Sequence, residues 1–415
     1  MKRTLASVML CFLSSMAAAS EPIDTAGLLP TQVARPLLDR DPRVAAARDK
    51  IDIAQREASI ISRSPYEWEV SASQQRRTYI TGPVDERVQE WHVGMERTFR
   101  LPGKGLADRR VARSMIDQAQ GEFGDALHQA AKHLMNLWVD NLLAIESEKI
   151  AASNLASTEE LMMVVEKRVK AGDASRIELN LARADLIEQR RLHVEAKTQS
   201  TVSLVRLTTH FPEFRSSIEV MPAPVRLTMP EDFYRDRALR ESDELKIARA
   251  RVDVAAAEAD RARANRIPDP TLGVFKASEA GGREHIAGIS FKIPISGNVR
   301  SANSAKAVAA RSMTRYELEL AERELFVEIS SSISIARGAY ESSMMAAEGA
   351  AAIQETARLT QRAHALGETD LTTFLMVRRQ ATSATNAALY SRAAALKAYY
   401  SLIIDSHLVW DLDKE

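Results

Sequence analysis

The side chains that chemistry would draw on first are eight histidines, fourteen methionines and one cysteine in 415 residues. Two ligands on one helix face need a spacing of three or four, and His128 and His133 are five apart. Met162-Met163 and Met344-Met345 offer soft sulfur donors of the kind copper or silver prefers. Neighbours on a helix point about 100° apart, so these pairs read as packing residues instead. No HExxH, GxSxG or phosphate-cradling glycine loop occurs. The chain is therefore expected to have no catalytic residue, no cofactor and no metal ligand set, and not to be an enzyme. Lys+Arg 56 balances Asp+Glu 56, and a phosphate-binding surface would need a basic surplus, so no nucleic-acid partner is expected. One cysteine cannot build a disulfide framework.

That cysteine lies in a candidate export signal over residues 1–20. Lys2 and Arg3 precede an apolar run from Leu5 to Met16, and Ala17-Ala18-Ala19-Ser20 is a small-residue cleavage region. The apolar run is too short for a membrane helix. Leu10 before Cys11, where a small residue would be expected, argues against lipid attachment. Export would place the mature chain in the periplasm, outside the cell, or in the outer membrane as a β-barrel.

With so little chemistry in view, the elements carry the reading. No proline falls between Pro102 and Pro212 or after Pro294, and proline costs about 3 kcal/mol inside a helix. These two tracts, rich in Ala, Leu, Glu and Arg, predict long helices, each interrupted at a glycine: Gly172 and Gly367. The halves also resemble each other. Arg43 to Arg48 is matched by Glu244 to Arg249, Phe99-Arg100-Leu101-Pro102 by Phe291-Lys292-Ile293-Pro294, and Gly172-Asp173 by Gly367-Glu368. Three landmarks in one order at nearly constant separation imply an internal duplication. The first repeat runs over 21–211, with helices at about 32–63, 105–170 and 174–209 and strands at about 66–80 and 88–101. A connector at 212–235 leads to the second repeat, 236–415. Its helices lie at about 236–266, 298–365 and 369–407, and its strands at about 270–278 and 285–295.

The strand segments alternate. Trp68, Val70 and Ala72 share a face, as do Trp91, Val93 and Met95, and Ala287, Ile289 and Phe291; polar residues lie between them. Gly82-Pro83 and Gly281-Gly282 sit where hairpin turns are needed. One apolar and one polar face suits a transmembrane barrel, and equally a small soluble sheet packed on helices. Four strands cannot close a barrel, and an open edge cannot sit in lipid, so a membrane reading requires several copies. A helix from 105 to 170 would extend on the order of 100 Å and needs partners along its length. Leu134, Trp138 and Leu142 form one candidate packing stripe, and Leu389, Ala393, Leu396, Tyr400 and Ile403 another.

With these features assembled, the chain resembles the TolC-like outer-membrane efflux proteins, and within them the CzcC-like channels of heavy-metal RND pumps. The resemblance is carried by Pro268-Asp269-Pro270-Thr271-Leu272-Gly273-Val274 and Ile286 to Pro294, with Glu96 to Lys104 as the first-half counterpart. It spans about Leu37 to Asp411. It implies a mainly α fold with a small β part, built from a duplicated helix-strand-strand-helix-helix unit. It further implies a homotrimer pooling four strands per chain into one outer-membrane barrel, continued by a periplasmic α-helical barrel. The helix-hairpin tips, Lys170, Ala171, Gly172 and Asp173 with Leu366, Gly367 and Glu368, would dock a periplasmic adaptor, the membrane fusion protein that leads to the inner-membrane RND pump. Channels of this family close near the tips, which makes Glu178 and Asp370 candidates for an acidic constriction. Where drug-efflux members carry gating aspartates, this sequence has Thr373 and Met376.

The function expected is a passive outer-membrane conduit, with heavy-metal cations as the leading cargo. Drug efflux or type I secretion are the alternatives within that class. A soluble periplasmic coiled-coil scaffold is the rival from another, and the apolar strand face separates it from a channel.

Overall fold

The computed structural model describes residue 25 and residues 27–80, 86–215, 220–295 and 297–412. The candidate signal at 1–20 and the Gly82-Pro83 turn lie outside the described residues.

Eight helices and four strands follow in the order α1 Thr31–Asp39, α2 Pro42–Ser62, β1 Trp68–Tyr79, β2 Glu86–Thr98, α3 Pro102–Lys170, α4 Arg176–His210, α5 Glu231–Glu241, α6 Asp243–Ala264, β3 Thr271–Glu279, β4 Glu284–Lys292, α7 Asn298–Ala365 and α8 Leu371–Asp405. The fold is mainly helical with one four-stranded antiparallel sheet in the order β1-β2-β3-β4. At 69 residues, α3 is about 100 Å long. It packs against α4 as one antiparallel hairpin, α7 packs against α8 as the other, and α3 also touches α8.

Two helices break where unbroken ones are expected. The segment 32–63 divides at Arg40-Asp41. Pro42 forces Asp41 into an extended conformation, and the Asp41 carboxylate then accepts the Arg43 N–H at 2.8 Å, capping α2. The segment 236–266 divides at Ser242, whose hydroxyl accepts the Leu245 N–H at 3.2 Å, and α5 begins at Glu231, inside the expected connector. The long helix starts at Pro102 rather than 105, with the proline in its first turn, where a missing N–H costs nothing.

The main core lies around the middle of α3. Leu134, Trp138 and Leu142 meet Leu396, Tyr400 and Ile403 of α8, the two stripes expected from sequence, and the Trp138 and Tyr400 rings are 6.1 Å apart. The C-terminal turn closes this core from one side: Trp410 is buried and its Nε1 donates to the Leu29 carbonyl at 2.8 Å. On another side α6 lies close along α3. A Cβ at Gly121 would come within 3.0 Å of Ile247, and one at Gly124 within 2.6 Å of the Asp243 carboxylate.

Candidate functional site

The two hairpin tips are built alike. In the first, the Gly172 N–H donates to the Val169 carbonyl at 3.1 Å and the Asp173 N–H to the Arg168 carbonyl at 2.8 Å. In the second, Gly367 donates to His364 at 3.1 Å and Glu368 to Ala363 at 2.9 Å. This is the paired hydrogen-bond pattern that ends a helix on a left-handed residue, and Gly172 and Gly367 have φ of 82° and 79°. Three residues on, each return helix starts on a side-chain cap. Ser175 accepts the Glu178 N–H at 3.2 Å while the Glu178 carboxylate accepts the Ser175 N–H at 2.8 Å. Asp370 accepts the Thr373 N–H at 2.9 Å and the Thr373 hydroxyl at 2.7 Å, which holds its carboxyl below the usual range. The adaptor-facing candidates Lys170, Ala171, Gly172, Asp173, Leu366, Gly367 and Glu368 are all exposed. The two constriction candidates, Glu178 and Asp370, hold helix caps just behind them.

Under the tips the two hairpins are joined. Met162, Val165 and Ala182 of the first pack with Leu371, Phe374 and Leu375 of the second. Beside this small core, Asp185 of α4 is fully buried and takes Arg378 of α8 at 2.5 Å and Arg379 at 3.2 Å. Arg378 also donates to Thr158 of α3 at 2.5 Å, so one guanidinium ties three helices together. Of the paired methionines, Met162 packs in this small core, and Met163, Met344 and Met345 are exposed in the single chain.

At the other end is the sheet. The register pairs Val70 with Met95, Met95 with Val274, and Val274 with Ile289. Paired residues of antiparallel strands point the same way, so Trp68, Val70, Val93, Leu272, Val274 and Ile289 lie on one continuous face. Among the described residues no element covers that face: Val70 is 70% and Ile289 80% exposed. The opposite face carries charge pairs, Lys292 with Glu96 at 2.5 Å and Arg77 with Glu90 at 3.2 Å. Each outer strand, β1 and β4, is hydrogen-bonded to a neighbour on one side only.

The sheet is fixed to the helices through Asp269, from the proline-flanked motif before β3. Its carboxylate takes Lys104 at 2.9 Å, Arg100 at 3.3 Å, the Leu101 N–H at 3.1 Å and the Tyr66 hydroxyl at 3.0 Å. Arg100 reaches on to Asp108 at 2.8 Å, which Arg261 also meets at 2.7 Å.

Residues 234–403 match the family described as outer membrane efflux protein. Over that segment the chain is similar to an outer membrane efflux protein domain. Its structure is similar to that of the Campylobacter jejuni CmeC outer membrane channel, with a TM-score of 0.74 at 16% identity over 91% of this chain and 85% of that one. CusC, described with transmembrane channel formation, gives 0.72 at 16% identity over 90% and 92%. The open-state MtrE outer membrane channel of Neisseria gonorrhoeae gives 0.70 at 16% identity over 91% and 88%. At that identity the likeness is one of fold. No curated protein matches the chain by sequence. In this fold the candidate tip residues form two like turns between paired helices. The sequence reading missed Asp185, Arg378 and Thr158 behind them. Asp185 looks there like one more charge on a polar helix, and its partners lie in the other repeat.

Proposed function

We propose that this chain is the outer-membrane channel of a tripartite efflux system. Three copies share one twelve-stranded barrel, with the apolar strand face toward lipid and the charged face toward water. The long helices continue the duct into the periplasm. The tips at Lys170 to Asp173 and Leu366 to Glu368 dock a periplasmic adaptor, which connects the duct to an inner-membrane RND pump. The channel does no chemistry and is a passive conduit for heavy-metal cations. Glu178 and Asp370 contribute an acidic constriction at the periplasmic end.

The observation that carries this reading is the uncovered apolar face on a sheet with two open edges. A soluble scaffold would expose that face to water at a cost of about 25 cal/mol per Å². Lipid satisfies the face, and neighbouring copies satisfy the edges. The exposed apolar residues along α7, among them Tyr316, Leu320, Phe326 and Val327, support lengthwise packing against further helices. The heavy-metal assignment rests on the CzcC-like motifs at Pro268 to Val274 and Ile286 to Pro294.

Sensitivity of a deletion strain tests the cargo. Loss of the gene is expected to raise sensitivity to divalent or soft metal salts several-fold and to leave drug tolerance unchanged. The reverse pattern assigns the channel to drug efflux and overturns the metal reading. The constriction is tested by Glu178→Gln with Asp370→Asn, which keep the capping hydrogen bonds and remove the charge. Cation block of single channels in planar bilayers should weaken; unchanged block and conductance remove both residues from the gate.

A further inference from the structure

Two histidines far apart in the sequence converge in the fold. His128 on α3, Asp243 at the start of α6 and His407 in the turn after α8 bring one donor atom each to within 4.8 Å of one another. The rings of His128 and His407 are stacked with centroids 5.3 Å apart, and His407 Nε2 lies 3.8 Å from Asp243 Oδ2. Asp243 and His407 are buried, and His128 is nearly so. All three border a cavity of about 190 Å³.

Two details distinguish this cluster from a chance meeting of polar groups. First, His128 Nε2 lies 2.9 Å from the Asp405 carboxylate, which Lys132 also holds at 2.9 Å. In the neutral ring the carboxylate favours the proton on Nε2, which makes Nδ1 the lone-pair atom. That Nδ1 is buried and has no hydrogen-bond partner. A carboxylate on one nitrogen of a histidine whose other nitrogen is buried and unpaired matches the way metal-ligating imidazoles are held from behind. Second, α3 carries glycine where it passes Asp243. A Cβ at Gly124 would sit 2.6 Å from Asp243 Oδ1 and 3.0 Å from Oδ2, so the space for that carboxylate exists only because the side chain is missing.

We propose that His128, Asp243 and His407 form a resident binding site for a borderline divalent transition metal, of which zinc is the natural probe. Two imidazoles and one carboxylate are a nitrogen-oxygen set suited to Zn²⁺, Co²⁺ or Ni²⁺. A single carboxylate is too few for calcium, and the absence of sulfur in the set disfavours Cu⁺. Tetrahedral zinc holds such donors roughly 3.3 Å apart, so closure requires shifts on the order of 1 Å, with the fourth position left to water from the cavity. The bound ion would join the first repeat, the second repeat and the C-terminal turn. Its burial marks it as a structural site in the wall rather than a station for cargo, and it stands whether or not the channel carries metals.

The test uses the full-length protein, purified in detergent and stripped with a chelator. Titration with ZnCl2 should show one tight site per chain, a rise in melting temperature, and Co²⁺ absorption typical of nitrogen-oxygen ligation. His128→Ala with His407→Ala should abolish the site, whereas His285→Ala on β4 should leave it intact. Asp405→Asn, which removes no ligand, should weaken affinity 10–100-fold. Should the double variant fail to fold, Asp405→Asn decides alone. Absence of stoichiometric binding by the wild type overturns the proposal. So does unchanged affinity in the double variant or in Asp405→Asn.

Discussion

At the scale of single residues, the chain depends on a few buried charges that span its two repeats. Asp269 shows how such a charge responds to pH. Burial pushes its pKa up, but the hydrogen bonds from Lys104, the Leu101 N–H and Tyr66 together outweigh burial and hold it below the usual carboxylate value. A pKa lower in the folded state than in the unfolded one contributes stability above the unfolded value. That contribution is lost as pH falls through the folded one. Melting temperature of the detergent-solubilised protein should therefore fall between about pH 5 and pH 3. Asp269→Asn should flatten that acid limb. It should also lower stability near neutrality by about 3–5 kcal/mol, since it strands Lys104 at a buried site, while Arg100 keeps Asp108. An equally steep limb in the variant would remove Asp269 from the account. None of this was legible in the sequence. Asp269 drew notice only as part of a proline-flanked motif, and its partners come from a segment more than 160 residues earlier. Asp185 was missed for the same reason, and His128 was set aside on its spacing from His133: what distinguishes each is a partner brought in from the other repeat.

At the scale of elements, legibility followed local signals. The tips were readable because a glycine is required wherever a helix ends on a left-handed residue, and both Gly172 and Gly367 do so. The strands were readable because alternation flips side chains between faces, and the register later placed the apolar rows of all four strands on one side. The break at Ser242 was not readable, because the charged and alanine-rich pattern runs through it without a proline and only a hydroxyl cap marks the turn. The two faces of the sheet predict opposite tolerances. Ile289→Arg on the apolar face should destabilise the assembled barrel by about 2–4 kcal/mol, measured by heat-modified gel mobility or urea unfolding in lipid. Ser290→Arg, next along the strand but on the charged face, should be nearly neutral for stability and should shift ion selectivity instead. Equal effects of the two would mean that the faces are not lipid and water.

At the scale of the whole molecule, the proposed channel makes one chain a third of the assembled object. Its first repeat meets its second through a buried junction at Arg100, Lys104 and Asp269, whereas Ile293 and Ile295, in the matching passage of the second repeat, are exposed. In that assembly neighbouring copies satisfy the edges of β1 and β4, and lipid satisfies the bare apolar face. Zero net charge and a 45% hydrophobic composition gave no hint of this, because short half-polar strands and long water-facing helices average to an ordinary value. The most direct measurement of the central claim is the protein mass of the species extracted from outer-membrane fractions, by light scattering in detergent. Three copies per particle, lost from solution when detergent is removed, is the predicted result. A monomer or dimer recovered from the soluble periplasmic fraction without detergent would contradict it.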